Sequence, residues 1–228
     1  MSALFAILLA SMTPCKDASF WTSEAILPLV VVRNGKVEAD IGQCSQEVGL
    51  HPDGQRWRSV NRWGKKVGMV ANIESGFETV SGTRGVGVFV RGATPTFKSF
   101  EWVPDVATRK SLVEAVGWRA AKEARDVAFF QSQSGRQWSV VAGKSSIALI
   151  GLTDGKWKRL YRASSATPEA TWQLYKLAAV VDMNDDGTPE VVYHFSEYED
   201  GRGHEVVLGA TGKKGRWREI ATNEDTGP

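Results

Sequence analysis

Residues 180–195 read VVDMNDDGTPEVVYHF and place a polar turn between two apolar runs. Valine dominates both runs, and β-branched residues of this kind are typical of strands. Four carboxylates, those of Asp182, Asp185, Asp186 and Glu190, lie within nine positions of the turn. Like charges this close repel one another unless a cation or water offsets the repulsion. The stretch therefore predicts a strand, an unusually acidic turn and a second strand.

The order of residues in the turn indicates a calcium loop. Calcium takes about six to eight oxygen ligands, which a loop supplies from alternate positions, and a glycine permits the sharp bend. Gly187 stands where that bend is needed. Magnesium demands a more rigid octahedron with fewer protein ligands, so the pattern favours calcium. The predicted ligands are Asp182, Asn184, Asp186, the backbone carbonyl of Thr188, and Glu190.

The loop differs from that of an EF-hand. Tyr193 occupies the twelfth position, where an EF-hand has a bidentate Glu, and Pro189 lies inside the loop. The strand-forming run VVYHF follows where an EF-hand would continue into a helix. The alternative to a calcium site is a solvated acidic turn, in which Asp and Asn only favour the bend.

The residues AVVDMNDDGTPEVVYHF resemble the FG-GAP/VCBS-type repeat of integrin-like β-propellers and many secreted bacterial proteins. In that repeat one apolar strand enters the acidic loop and another leaves it. The resemblance covers a single copy around residues 178–195, and Glu190 stands where the repeat ends its ligand set with Asp. It implies a calcium-stabilised, propeller-like blade without catalytic duty.

Strand, turn and strand recur through most of the chain. The clearest hairpin signal is Asn34-Gly35 between two β-branched runs. Residues 84–92 and 96–103 predict a further pair of neighbouring strands around a proline-containing turn. The predicted fold class is mainly β, with antiparallel hairpins or a meander forming propeller-like blades or a β-sandwich.

One segment predicts an amphipathic helix near residues 109–125. Ser111 and Glu114 could form a capping box at its start. Its apolar positions recur every four residues and would share one face: Leu112, Val116, Ala120 and Ala124.

The predicted helix separates an N-terminal β section from a C-terminal one. The predicted segments are a leader at 1–18, an N-terminal β section at 19–104, a helical connector at 105–125 and a C-terminal FG-GAP-like β section at 126–228.

The charge balance argues against a dedicated nucleic-acid binder. The 228 residues include 28 basic and 26 acidic side chains, for a net charge of +2. Affinity for nucleic acids depends mostly on clustered Lys and Arg. The one dense basic stretch, residues 54–66, interleaves Arg with Trp57 and Trp63. It is interpreted as a solvated strand edge with its Trp turned inward, and the alternative is a surface that binds an anionic polymer.

The N-terminus indicates export. Residues 3–12 are apolar over a length that matches a signal-peptide core but cannot span a bilayer, which needs about 20 residues. No other segment approaches transmembrane length. Cys15 stands where a bacterial lipoprotein carries its lipid anchor, and a disulfide between Cys15 and Cys44 is the alternative. The predicted location is extracytoplasmic: secreted, periplasmic or lipid-anchored.

Three functional hypotheses follow from the sequence. The first is a non-catalytic binding or scaffolding module of the bacterial envelope, with a structural calcium loop and an unidentified protein or glycan ligand. The second is a hydrolase that uses Glu197 or Glu199 of the acidic hairpin. The third is a glycan-binding module that displays Trp57 or Trp63. No nucleophile elbow or phosphate-binding glycine loop occurs, so the sequence favours a protein without catalytic activity.

Overall fold

The computed structural model of the chain describes residues 15, 18–22, 30–39, 44, 57–60, 62–63, 66–71, 78–79, 88–91, 100–101, 106–132, 134–165, 174–196, 203–211 and 216–224. These residues form three β-sheets and two α-helices with defined bounds. Every strand pairing among them is antiparallel. The predicted mainly β, antiparallel fold class is confirmed.

The N-terminal sheet contains seven strands. They are β1 (Ser19–Thr22), β2 (Val30–Arg33), β3 (Lys36–Ala39), β4 (Trp57–Val60), β5 (Lys66–Ala71), β6 (Glu78–Thr79) and β7 (Val88–Arg91). Their spatial order is β3-β2-β1-β7-β4-β5-β6. Asn34 and Gly35 join β2 to β3 with φ values of 51° and 67°. Positive φ at both positions is the geometry of a type I′ hairpin turn, so the hairpin predicted from Asn34-Gly35 is confirmed.

The middle sheet contains five strands. They are β8 (Phe100–Glu101), β9 (Ala124–Gln131), β10 (Gln137–Gly143), β11 (Ser146–Thr153) and β12 (Lys156–Ser164). Their spatial order is β12-β11-β10-β9-β8. The predicted pairing of residues 84–92 with residues 96–103 is wrong. Strand β7 pairs with β1 on one edge and β4 on the other, so no edge remains for β8, which pairs with β9 instead.

The C-terminal sheet is a four-stranded meander. Its strands are β13 (Leu174–Val181), β14 (Glu190–Ser196), β15 (Gly203–Thr211) and β16 (Arg216–Glu224). They lie side by side in chain order. The strands predicted on either side of the acidic turn are therefore β13 and β14, and Val181 pairs with Glu190 at the mouth of the turn.

The predicted helical region forms two helices instead of one. Helix α1 spans Val106–Val116 and α2 spans Trp118–Glu123. Gly117 separates them with φ 95°, a value that side chains rarely allow. Because α1 begins at Val106, Ser111 lies within the helix and does not cap its start, so the predicted capping box is wrong.

The apolar face predicted for this region packs against the five-stranded sheet. Leu112 and Val116 are buried, and Ala120 and Ala124 are partly buried beside them. They cover one face of the five-stranded sheet, where they meet Val141, Ala148, Ile150 and Trp157. No helix among the described residues is long and apolar enough to cross a membrane.

The four-stranded sheet is covered on both faces. One face joins the five-stranded sheet in an apolar cluster that includes Phe130, Trp138, Leu149, Tyr175, Leu177, Val180, Val191, Tyr193, Val206 and Leu208. The other face joins the N-terminal sheet in a cluster of Trp21, Val30, Val32, Val60, Ala179, Val181, Met183, Val192, Val207 and Ala221. The N-terminal and C-terminal β sections thus share a core.

Arg62 connects all three sheets. It lies just after β4, and its backbone carbonyl accepts a hydrogen bond from the amide of Val180 on β13 at 2.8 Å. Its Nη2 atom lies 2.5 Å from Oδ1 of Asp126 on β9. The guanidinium carbon also lies 5.8 Å from the ring centroid of Trp63. One residue therefore fixes the relative position of β4, β9 and β13.

A second polar contact joins the five-stranded and four-stranded sheets. The Tyr161 hydroxyl on β12 donates to Oε1 of Glu219 on β16 at 2.5 Å and lies 3.0 Å from the hydroxyl of Tyr193 on β14. Burial raises the pKa of the Tyr161 phenol well above its usual range, and the hydrogen bond to Glu219 raises it further. Burial also raises the pKa of Tyr193 to about 12. Both phenols are thus held in their neutral form.

The raised tyrosine pKa predicts a loss of stability in alkali. The usual tyrosine pKa is about 10, so the unfolded chain releases the Tyr193 proton before the folded protein does. The stabilisation is fully present below about pH 10 and is lost as the pH rises through about 12. Across this pH interval we expect the free energy of unfolding of Tyr193→Phe to fall by about 1–2 kcal/mol less than that of the wild type. Urea unfolding at a series of pH values measures this, and parallel losses in both proteins would refute it.

Candidate metal centre

The acidic loop lies between β13 and β14, at the end of the sheet whose two faces are covered. Residues 182–189 connect the last residue of β13 to the first of β14. Gly187 has φ 83° and Asp185 has φ 58°, so both adopt the left-handed conformation. Glycine adopts it without strain, and Asp is among the few other residues that tolerate it. The predicted role of Gly187 in the bend agrees with this geometry.

Asp182 organises the interior of the loop. Its side chain is buried, at 4% exposure. Oδ1 accepts a hydrogen bond from the backbone amide of Asp186 at 3.0 Å, and Oδ2 accepts one from the amide of Gly187 at 2.8 Å. Both carboxylate oxygens therefore point across the loop towards the bend.

Asp186 and Asn184 line the outer part of the loop. Oδ1 of Asp186 accepts from the amide of Thr188 at 2.7 Å. Oδ2 of Asp186 accepts from Nδ2 of Asn184 at 3.1 Å. The Asn184 side-chain oxygen accepts in turn from the amide of Asp186 at 3.3 Å. The three side-chain positions predicted from alternate residues therefore meet around one turn.

Glu190 forms the C-terminal end of the loop. It is the first residue of β14, is only 5% exposed, and its Oε2 atom accepts from the amide of Met183 at 2.8 Å. Burial raises the pKa of this carboxyl well above its usual range, and the charges of Asp182 and Asp186 raise it further. The hydrogen bond from Met183 acts in the opposite direction.

Asp182 experiences the same competition. Burial raises the pKa of its carboxyl, and Asp186 and Asp185 add to the rise, while the amides of Gly187 and Asp186 lower it. Among the described residues, no Lys, Arg or His forms an ion pair with Asp182 or Glu190. The loop thus buries two neighbouring carboxyl groups near a third, and no basic side chain in the described part of the chain pairs with either.

The donor set has the chemistry that calcium prefers. Carboxylate, amide and backbone carbonyl oxygens on a flexible loop are calcium ligands, and residues 182–190 contain no His or Cys. The one sulfur, that of Met183, belongs to a residue buried in the apolar cluster shared with the N-terminal sheet. Among the described residues, no three His, Cys, Asp or Glu side chains are already arranged to hold a metal ion. The carboxylates point instead to backbone amides, so an ion would require them to turn towards a common centre.

Two contacts of the loop could not be inferred from spacing. The amide of Met183 holds Glu190, and the backbone carbonyl of Gly35 accepts a hydrogen bond from Nδ2 of Asn184 at 2.9 Å. A backbone group has no sequence signature, so only the Asn34-Gly35 turn itself could have been recognised in advance.

The other residues singled out in the sequence lie elsewhere. Glu197 and Glu199 fall outside the described residues. Trp57 belongs to β4, and Trp63 is half-buried against the main apolar cluster. The residues predicted for a leader lie almost wholly outside the described part of the chain.

Cys15 is described, and it is bonded to Cys44 with an S–S distance of 2.04 Å. Both cysteines are buried. A disulfide uses the sulfur that a lipid anchor would need, so one molecule cannot have both.

No family model matches the chain, and neither a curated protein nor a solved structure matches it. The resemblance to the FG-GAP/VCBS-type repeat therefore stays a prediction.

The buried carboxyl of Glu190 should destabilise the metal-free protein. Glu190→Gln keeps an acceptor for the Met183 amide and removes the negative charge that Asp182 and Asp186 repel. We expect the variant to melt about 2–4 °C higher than wild type in chelator, which corresponds to about 1 kcal/mol in a chain of this size. Thermal unfolding followed by circular dichroism measures the difference.

Asp154→Asn is the matched control for the loss of a carboxylate. Asp154 lies in another turn with its side chain 86% exposed, so its replacement should leave the melting temperature nearly unchanged. A lower melting temperature for Glu190→Gln would show that the carboxylate stabilises the loop without an ion.

Proposed function

We propose that residues 182–190 bind a calcium ion and that the protein is a calcium-stabilised, non-catalytic β module with a binding or scaffolding role. One observation carries the proposal: Asp182 and Glu190 are buried together, near Asp186, without a basic partner among the described residues. Burying ionised carboxylates is costly unless a cation or hydrogen bonds compensate. Calcium would supply that compensation with two positive charges.

The position of the loop gives the ion a structural task. The loop joins β13 to β14, and both strands contribute to the two apolar clusters. Without an ion, repulsion among the carboxylates favours an open turn. With an ion, the same charges hold the two strands in register. Calcium binding would therefore add its free energy to that of folding.

The disulfide supports an oxidising location. Disulfides persist in secreted, periplasmic and cell-surface proteins and are rare in the cytosol. The bond between Cys15 and Cys44 is buried next to the N-terminal sheet, where Nη1 of Arg33 approaches the sulfur of Cys44 to 3.8 Å. A secreted or envelope-associated protein would also meet calcium at the concentrations that loops of this kind require.

Thermal melting with calcium and with chelator tests the proposal. At a calcium concentration about 100 times the dissociation constant, the stabilisation is roughly 2.7 kcal/mol. For a chain of this size that corresponds to a rise of about 5–11 °C in melting temperature. Magnesium at the same concentration should give a smaller rise, because it adapts poorly to a flexible loop of many oxygen ligands.

Two neighbouring aspartates supply a matched pair of variants. Asp186 and Asp185 are both exposed, but only Asp186 belongs to the ligand set. Asp186→Ala should abolish the calcium-dependent rise. Asp185→Ala should retain it, although its own melting temperature falls because Ala is strained at a positive φ. Identical wild-type melting curves in calcium and chelator would reject the calcium site and favour a solvated acidic turn.

A further inference from the structure

The candidate calcium loop touches the N-terminal sheet through one of its own predicted ligands. Nδ2 of Asn184 donates to the backbone carbonyl of Gly35 at 2.9 Å, across 149 residues of sequence. Gly35 lies at the tip of the β2–β3 hairpin, and β3 lies beside β16 of the four-stranded sheet. The tip of the hairpin is therefore seated on the loop.

The two ends of the Asn184 amide face different partners. Its Oδ1 atom accepts from the amide of Asp186 inside the loop at 3.3 Å. Its Nδ2 atom donates to the backbone carbonyl of Gly35, outside the loop, and to Oδ2 of Asp186, within the loop. The oxygen is thus available to the interior of the loop, while the nitrogen holds the hairpin.

We propose that Asn184 couples calcium binding in the loop to docking of the β2–β3 hairpin. This inference rests on the calcium site proposed above. A cation at Oδ1 withdraws electron density from the amide and makes its N–H groups stronger donors, because linked polar groups polarise one another. The ion also fixes the rotamer of the Asn184 side chain. Forming the hydrogen bond to Gly35 then costs less conformational entropy, because the side chain is already ordered.

The coupling explains why an amide stands among carboxylate ligands. An Asp at position 184 would offer calcium an additional negative charge. It could not donate to Gly35, and its carboxylate would face the lone pairs of that carbonyl. Asn is the residue of similar size that presents an acceptor to the ion and a donor to the hairpin. Asn184 is accordingly both a ligand and a positioning residue for β2 and β3.

Reciprocity follows from the same linkage. If calcium tightens docking of the hairpin by some factor, a docked hairpin tightens calcium binding by that factor. The affinity of the loop for calcium would thereby depend on whether the hairpin of the N-terminal sheet is docked.

Hydrogen–deuterium exchange on the full chain tests the coupling. Calcium should slow exchange of the amides in residues 31–38 about tenfold relative to chelator, a ratio typical of coupled sites. The turn between β11 and β12 is an internal control. Asp154 and Gly155 have φ 53° and 70°, close to the values of Asn34 and Gly35, but this turn makes no contact with the loop among the described hydrogen bonds. Its exchange should stay unchanged.

Asn184→Asp separates ion binding from coupling. It keeps an oxygen ligand, so calorimetry should still detect calcium binding, but the slowing of exchange at 31–38 should disappear. Asp185→Asn is the control: it makes the reverse swap at the adjacent position, outside the ligand set, and should preserve the slowing.

The outcomes are distinct. Calcium binding without slowing in wild type, or with equal slowing in Asn184→Asp, would overturn the coupling and leave the calcium site standing. Absence of calcium binding by wild type would overturn both proposals. If Asn184→Asp does not fold, the wild-type comparison of the two turns decides alone, since equal slowing at both would also overturn the coupling.

Discussion

The burial of both faces of the four-stranded sheet is the constraint on which the rest of the structure depends. Strands that are covered on both sides need apolar residues at successive positions, as Val180 and Val181 show by facing different clusters. The register irregularity between Leu177 and Ala179 shifts the alternation along β13, so that Leu177 and Val180 belong to one cluster while Ala179 and Val181 belong to the other. The acidic loop is attached at the end of two of these strands, β13 and β14.

That attachment gives the loop its electrostatic character. Asp182 directly follows the buried end of β13, and Glu190 is the first residue of β14, so both carboxyl groups lie at the edge of the core. Asp185 and Asp186, a few positions away, remain exposed. One short turn therefore contains solvated charges and desolvated ones. Hydrogen bonds from backbone amides compensate the buried pair only partly, which is the physical basis for proposing a cation there.

Polar contacts join the sheets in addition to the two apolar clusters. Arg62 connects β4 to β9 and β13, Tyr161 connects β12 to β16, and Asn184 connects the loop to the tip of a hairpin. Apolar burial supplies most of the stabilisation but is not directional, whereas these hydrogen bonds have defined geometry. They orient the sheets relative to one another, and the hydrogen bond from Asn184 to Gly35 joins the acidic loop to the N-terminal sheet.

The sequence by itself determined what depends on neighbours along the chain. The β-branched runs identify the strands on either side of the loop, Asn34-Gly35 identifies a primed turn, and Gly187 identifies the bend, since each reflects local conformational preference. Only the tertiary structure decided that β7 pairs with β1 and β4, that Asp182 and Glu190 are buried while Asp186 is not, and that Asn184 reaches Gly35. Those features depend on groups far apart in sequence, several of them backbone atoms that every residue shares, so no local pattern encodes them.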